Sequence, residues 1–334
     1  MARIRTFGAE CGTMVAWPGT YDGPVIATAK KRTGMYSWYT GGGASNFVDV
    51  LDSPLSELYL RIAVYPLSFE GGLSGLKWFT ALSAAGSSIC CLSTAPNSNQ
   101  LTLRDSSMTI LAYSSILLTA NEWHVLEMYI NANSDDFVLL IDGETAINWH
   151  GDFGGPSTIG MLKWGYHDTW WMNTPNAYWD DYAVNDTTGT VNNSFPGRGG
   201  IEWLGPEAAG DETQLTPVGA ENNWDCVDER PPDDDATYVT SNTLNAYDLY
   251  QLNSPTLSGD VVTVKCYLRG RLDEVGTGAI APVLYTNGTL YEGARRQLTD
   301  VWLYRTQEFE QNPVTGNAWT LGELGDLQLG VRVK

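Results

Sequence analysis

The chain has 334 residues, with 19 Lys plus Arg against 39 Asp plus Glu and a formal net charge of −20. That length suits two domains, and 13 Trp, 17 Tyr and 8 Phe are too much apolar surface for a disordered chain. The shortage of bases argues against a nucleic-acid binder, which needs a cationic face for phosphates, and against a polybasic membrane-surface protein.

In chain order, Met1-Ala2-Arg3-Ile4-Arg5 leads into no apolar h-region, so no secretory signal is expected. No run approaches the ~18 apolar residues of a transmembrane helix. Thirty-five glycines and fifteen prolines break the sequence into short runs, and those runs carry strand rather than helix periodicity. Leu58–Tyr65 (LYLRIAVY) alternates, with Leu58, Leu60, Ile62 and Val64 on one face. Glu122–Ile130 (EWHVLEMYI) sets His124, Leu126, Met128 and Ile130 against Trp123, Val125, Glu127 and Tyr129. Phe137–Asp142 runs into Asp142-Gly143, a type I′ hairpin signal, with the return strand expected from Thr145. Residues 186–200 are polar and Gly-rich and predict a linker. Beyond it, Val261–Arg269 predicts a strand with Val262, Val264, Cys266 and Leu268 inward. Thr286-Asn287-Gly288-Thr289 predicts a second hairpin, and Val301–Arg305 a further strand. Only Thr320–Leu329, with Leu321, Leu324 and Leu327 three apart, suits a helical turn or two. The expectation is an all-β chain of two antiparallel β-sandwich, jelly-roll-like domains: residues 1–187, a linker over 188–200, and residues 201–334.

Five cysteines (Cys11, Cys90, Cys91, Cys226, Cys266) include an adjacent pair and form no CxxC. They read as small apolar residues of a reducing compartment, with neither a disulfide framework nor a zinc site. The acidity is local. Residues 198–235 hold eleven acids and two bases, a balance of −9. Within that stretch Asp233-Asp234-Asp235 would suit a hard cation such as Ca²⁺, but no D-x-[DN]-x-[DN]-G loop supports one. A solvated loop facing a basic neighbouring subunit is the expectation.

Two resemblances follow. EWHVLEMYI, the strand closing on Ile141-Asp142-Gly143, and Tyr178-Trp179-Asp180-Asp181-Tyr182-Ala183-Val184 together resemble the concanavalin-A-like (laminin-G-like) lectin jelly rolls over roughly residues 10–187. That fold hosts binders, hydrolases and purely structural modules. The second half is similar to a module of tailed-bacteriophage structural proteins. The residues that carry this are Ile201–Pro206, Gln214–Pro217, Asn222–Glu229, Pro231–Val239 and Asn312–Thr320, ending in the strand Leu327–Val333. The resemblance implies a virion protein of tail, fibre or decoration type, assembled in the host cytoplasm. Its partners would be other virion proteins, further copies of itself as a homo-oligomer, and bacterial surface polysaccharide.

The candidate glycan-binding residues are Trp149, Trp164, Tyr166, His167, Asp168, Trp170 and Trp171, because sugars stack apolar faces on aromatic rings while polar side chains take the hydroxyls. The competing reading is packing in a core or against a neighbouring subunit. Carboxylate catalysis would need two acids flanking a sugar. No E-x-D-x-x-E strand occurs, adjacent Asp180 and Asp181 should face opposite ways, and there is no G-x-S-x-G. His124 reads as a hydrogen-bonded core residue rather than a base. No catalytic residue, cofactor or metal is therefore expected, and neither nucleic acid nor membrane as a partner. The expected role is host attachment by a virion surface protein. A decoration or assembly subunit with no glycan ligand is the alternative, and a polysaccharide depolymerase a more distant one.

Overall fold

The alternation of apolar and polar residues builds sheets, and a computed structural model describes them over residues 2–41, 45–69, 75–96, 98–165, 173–273 and 276–334. The chain forms two units, Met1–Glu10 with Ala16–Ile201, and Cys11–Val15 with Glu202–Lys334. Both are all-β and antiparallel apart from short helical turns.

The first unit is a sandwich of two sheets. The eight-stranded sheet runs Glu144–His150, Asp136–Ile141, His124–Asn131, Glu57–Pro66, Ala177–Asn185, Ser37–Thr40, Val25–Ala27, and Arg3–Phe7 also pairs with Ala177–Asn185. The seven-stranded sheet runs Ile110–Leu117, Gln100–Arg104, Ser88–Thr94, Lys77–Leu82, Ile159–Trp164, Asn46–Leu55, Thr20–Asp22. The side chains that alternation assigns inward, Leu58, Leu60, Ile62 and Val64, are all fully buried. So are Leu126, Met128 and Ile130 on the neighbouring strand. Between the sheets lies an aromatic core of Phe7, Trp17, Trp38, Phe47, Trp164, Trp179 and Tyr182, with ring centroids 5.0–6.2 Å apart and mostly edge-on or tilted. Such geometry suits the aromatic quadrupole. An ion pair enters this interior. Asp49 accepts from Arg5 Nε at 2.9 Å and from the Tyr182 hydroxyl at 2.8 Å, and burial beside that carboxylate pushes the Tyr182 phenol up.

The hairpin after Ile141 turns on Asp142 (φ 54°) and Gly143 (φ 89°), the double left-handed conformation of a type I′ turn. The return strand begins at Glu144, one residue earlier than expected. Asn287 (φ 50°) and Gly288 (φ 71°) repeat the device in the second unit.

The second unit has a six-stranded sheet, ordered Pro206–Thr213, Tyr247–Leu252, Gln328–Val333, Ala279–Thr286, Thr289–Glu292, with Arg296–Gln297 also on Ala279–Thr286. The ribbon Val264–Gly270/Leu303–Phe309 contributes Cys266 and Phe309 to a core shared with Leu284, Trp319, Leu324 and Leu327. Two sequence expectations are corrected here. Val262 and Val301 lie ahead of the first paired residues, Val264 and Leu303, and are 40% and 54% exposed. The one α-helical turn among the described residues, Leu321–Gly325, starts in a capping box: Glu323 N donates to Thr320 Oγ1, and the Glu323 carboxylate accepts from Thr320 N. All five cysteines are buried, and none is in a disulfide.

Two stability predictions follow from these contacts. Asp49→Asn removes the buried one of the two carboxylates on the Arg5 guanidinium, leaving only the exposed Asp52, and should lower unfolding free energy by about 3 kcal/mol; a urea-midpoint shift worth under about 1 kcal/mol would contradict the role given to Asp49. Thr320→Ala removes only the cap and should lower it by about 1 kcal/mol, read in the same titration.

Candidate functional site

The acids of the first unit that sequence reasoning weighed for catalysis lie on the outer face of the eight-stranded sheet. The pairing of Ala177–Asn185 with Glu57–Pro66 shifts register between Asp180 and Ala183, and Asp181 takes a left-handed φ of 55°. This bulge cancels strict alternation. Adjacent Asp180 and Asp181, expected on opposite faces, instead both reach Arg32 and Thr33. Asp180 Oδ2 accepts from the backbone N–H of Arg32 (2.9 Å) and of Thr33 (3.3 Å). Asp181 Oδ2 pairs with Arg32 NH1 at 2.6 Å, and its Oδ1 accepts from Thr33 Oγ1 (2.6 Å) and Ile201 N (2.7 Å).

The same network holds the end of the Gly-rich stretch. The second half of the expected linker, residues 194–201, is bonded along this sheet as a strap rather than spanning open solvent. Asn185 Nδ2 donates to Ser194 O, Phe195 packs on Tyr59 at 5.0 Å, and Gly197 N donates to Glu127 Oε1 at 2.6 Å. Arg61 donates to Asp181 O and Gly197 O, and Arg32 to Arg198 O and Gly199 O. Burial is the first cause that pushes the carboxyls of Asp180 and Glu127 up; the charge of Asp181 adds to the rise at Asp180. Raised carboxyls in a cleft are a mark of catalytic acids, but each of these holds the backbone of the strap or of Arg32–Thr33.

The aromatic candidates separate. Trp164 is fully buried, 4.6 Å from Phe79 and 5.9 Å from Trp179, so neither face is open to a sugar. That corrects its place among the glycan-binding residues: it is a core residue, since it directly opposes Phe79 on the inward face of the seven-stranded sheet. Trp149 is half-buried on an edge strand and stacks on Phe153 at 5.0 Å. Tyr166, His167, Asp168, Trp170 and Trp171 lie outside the described residues. His124 has both ring nitrogens engaged, Nδ1 with Asp142 Oδ2 (2.7 Å) and Nε2 with Thr119 N (2.9 Å). His150 pairs with Asp136 in the open. Among the described residues no group of three His, Cys, Asp or Glu could hold a metal ion, and no helix is long and apolar enough to cross a membrane.

Within the second unit the Asp233-Asp234-Asp235 run already meets basic side chains. Asp234 grips Arg269 through two bonds of 2.5 and 2.7 Å, Asp235 pairs with Arg271 at 3.0 Å, and Asp233 caps Thr237 N. The two arginines lie over Tyr304 and Trp302.

Sequence reasoning missed one feature. Tyr39, Tyr178, Tyr65 and Trp123 form a row of rings along the end of the eight-stranded sheet. The signal was available, because Trp123 and Tyr65 fall on the faces opposite to the inward residues of their runs.

No family model matches the chain, and no curated protein matches it. Solved structures do show likenesses. A cellulose-induced protein, Cip1, is 13% identical with a TM-score of 0.42, over 54% of this chain and 96% of that one. A sialidase is 10% identical with a TM-score of 0.39, over 56% and 18%. The botulinum neurotoxin serotype G binding domain is 12% identical with a TM-score of 0.33, over 51% and 43%. At such scores these likenesses bear on neither activity nor ligand.

The raised carboxyls give a signed prediction. A carboxyl held above its unfolded value keeps the native chain more protonated, so its contribution to stability is full below about pH 4 and is lost as pH rises through the folded value. Glu127→Gln should therefore flatten the fall in urea midpoint between about pH 4 and pH 7 relative to the unchanged chain. Parallel curves would show that Glu127 titrates in its ordinary range. Asp181→Asn should lower stability by about 3 kcal/mol and expose the strap to limited proteolysis near Arg198.

Proposed function

We propose that the chain is a structural component of a tailed-phage virion, exposed on tail or capsid, that contacts host-surface glycans through its lectin-like first unit by adhesion rather than turnover. The observation that carries the choice of adhesion is the engagement of Asp180, Asp181 and Glu127: all three acids bond the chain's own backbone, so none stands ready as acid or nucleophile. The virion part rests on the phage-type motif. Its residues are the ones that organise the second unit: Asp234 on Arg269, Trp319 Nε1 on Phe309 O, and the Thr320 cap. Many weak sites on one particle would attach it firmly without tight binding at any one of them.

Mass spectrometry of purified particles should find the chain as a stoichiometric component, and its absence would remove the virion reading. Incubation with capsular polysaccharide should release no reducing ends; sustained release would restore the depolymerase.

A second reading, a decoration or assembly subunit without a glycan ligand, is favoured by the burial of Trp164 and the packing of Trp149 on Phe153. Under it, no sugar on a glycan array should change the tryptophan fluorescence.

A further inference from the structure

The outer face of the eight-stranded sheet is divided between two kinds of surface. One part lies beneath residues 194–201. The other carries the aromatic row. Tyr178 stands opposite both Tyr39 and Tyr65 in the strand register, and Trp123 immediately precedes His124, which is opposite Val64. The ring centroids step 4.9, 6.3 and 5.5 Å from Tyr39 to Tyr178 to Tyr65 to Trp123. Tyr39, Tyr178 and Trp123 are half-buried, with Tyr65 as the floor between them. A solvent-facing strand surface ordinarily takes polar residues, and a contiguous apolar patch marks a contact site.

The rim of the row is polar. The Tyr39 hydroxyl donates to Asn176 Oδ1 at 2.6 Å, and the Lys30 ammonium stands 5.1 Å from the Tyr65 centroid. Lys30 and Lys31 are both exposed, whereas the neighbouring Arg32 is consumed by Asp181. Two adjacent exposed lysines are a local reversal of sign in a chain of net charge −20. Rings that stack the C–H face of a pyranose, hydroxyl and amide groups at their edge, and a cation for a carboxylate together describe one ligand chemistry.

We propose that Tyr39, Tyr178, Tyr65 and Trp123, with Lys30 at their rim, form a binding platform for an acidic polysaccharide. This rests on the adhesion reading above and gives it a site and a ligand class. The platform uses none of the seven aromatic and polar residues that the sequence offered between Trp149 and Trp171.

The test uses the full chain against polygalacturonate, alginate and hyaluronan, with neutral dextran as control, by affinity electrophoresis and calorimetry. The expected result is binding to the acidic polymers that weakens with salt, little binding to dextran, and a loss of about ten-fold or more in affinity for Tyr178→Ala, Trp123→Ala and Lys30→Glu. Lys30→Glu changes an exposed side chain, so it keeps the test valid should an aromatic variant misfold. Unchanged affinity in Lys30→Glu and Tyr178→Ala, or no binding of any acidic polymer by the unchanged chain, would overturn the platform. Sedimentation that shows a dimer dissociated by Tyr178→Ala would also overturn it and assign the surface to a second copy of the chain. Adhesion to encapsulated bacteria and to an isogenic capsule-free strain is measured in parallel. Variants that adhere as well as the unchanged chain remove the platform and leave the adhesion reading standing. An unchanged chain that binds the polymers but no cells removes the adhesion reading and leaves the platform.

Discussion

The first unit depends on a single displaced residue. In the strand Ala177–Asn185, strict alternation would send Trp179 inward, Asp180 outward and Asp181 back toward an aromatic interior with no water to solvate it. The left-handed φ of Asp181 absorbs the extra residue. Trp179 and Tyr182 then both enter the core, where Tyr182 meets Asp49, while both aspartates leave it for Arg32 and Thr33. Non-glycine residues adopt this conformation at some cost, and aspartate tolerates it better than most. The bulge therefore serves two faces at once: it keeps a charge out of the sandwich and creates the anchor for residues 194–201.

What was legible in the sequence follows from what is local. Leu58, Leu60, Ile62 and Val64 were readable because a period of two needs only neighbours in the chain. Asp142-Gly143 and Asn287-Gly288 were readable because a type I′ turn demands particular residues. The Leu321–Gly325 turn showed in its leucine spacing. The bulge was not readable, since one inserted residue looks like any other step of the strand until its partner strand is known. Arg61 fell on the nominally exposed face and is nonetheless buried, because Gly197, 136 residues later, lies against it. The same limit applies to the acidic run: nothing in Asp233-Asp234-Asp235 points to Arg269 and Arg271. Of the aromatic candidates, Trp164 had the composition of a sugar-binding residue and the register of a core residue, and register decided its place.

The large negative charge also has a structural use that composition alone conceals. With few cations to pair, carboxylates hold loops by accepting backbone N–H groups, a charge-assisted bond stronger than its neutral counterpart. Glu10 takes Met35 N and Tyr36 N, Asp105 takes Ser107 N and Thr109 N, and Glu202 takes Thr256 N and Leu257 N. Asp248, fully buried, accepts from Gln214 N, Leu215 N, Asn223 Nδ2 and the Tyr250 hydroxyl. In a fold made of short strands joined by turns, such acceptors do for loops what caps do for helices.

The buried thiols have a practical consequence. Burial pushes the thiols of Cys90 and Cys266 well up, so neither presents a thiolate while its unit is closed. Cys90 and Cys91 report on the first unit, and Cys11, Cys226 and Cys266 on the second. Alkylation rates at these positions would thus time the opening of each unit separately, with no label introduced into the chain.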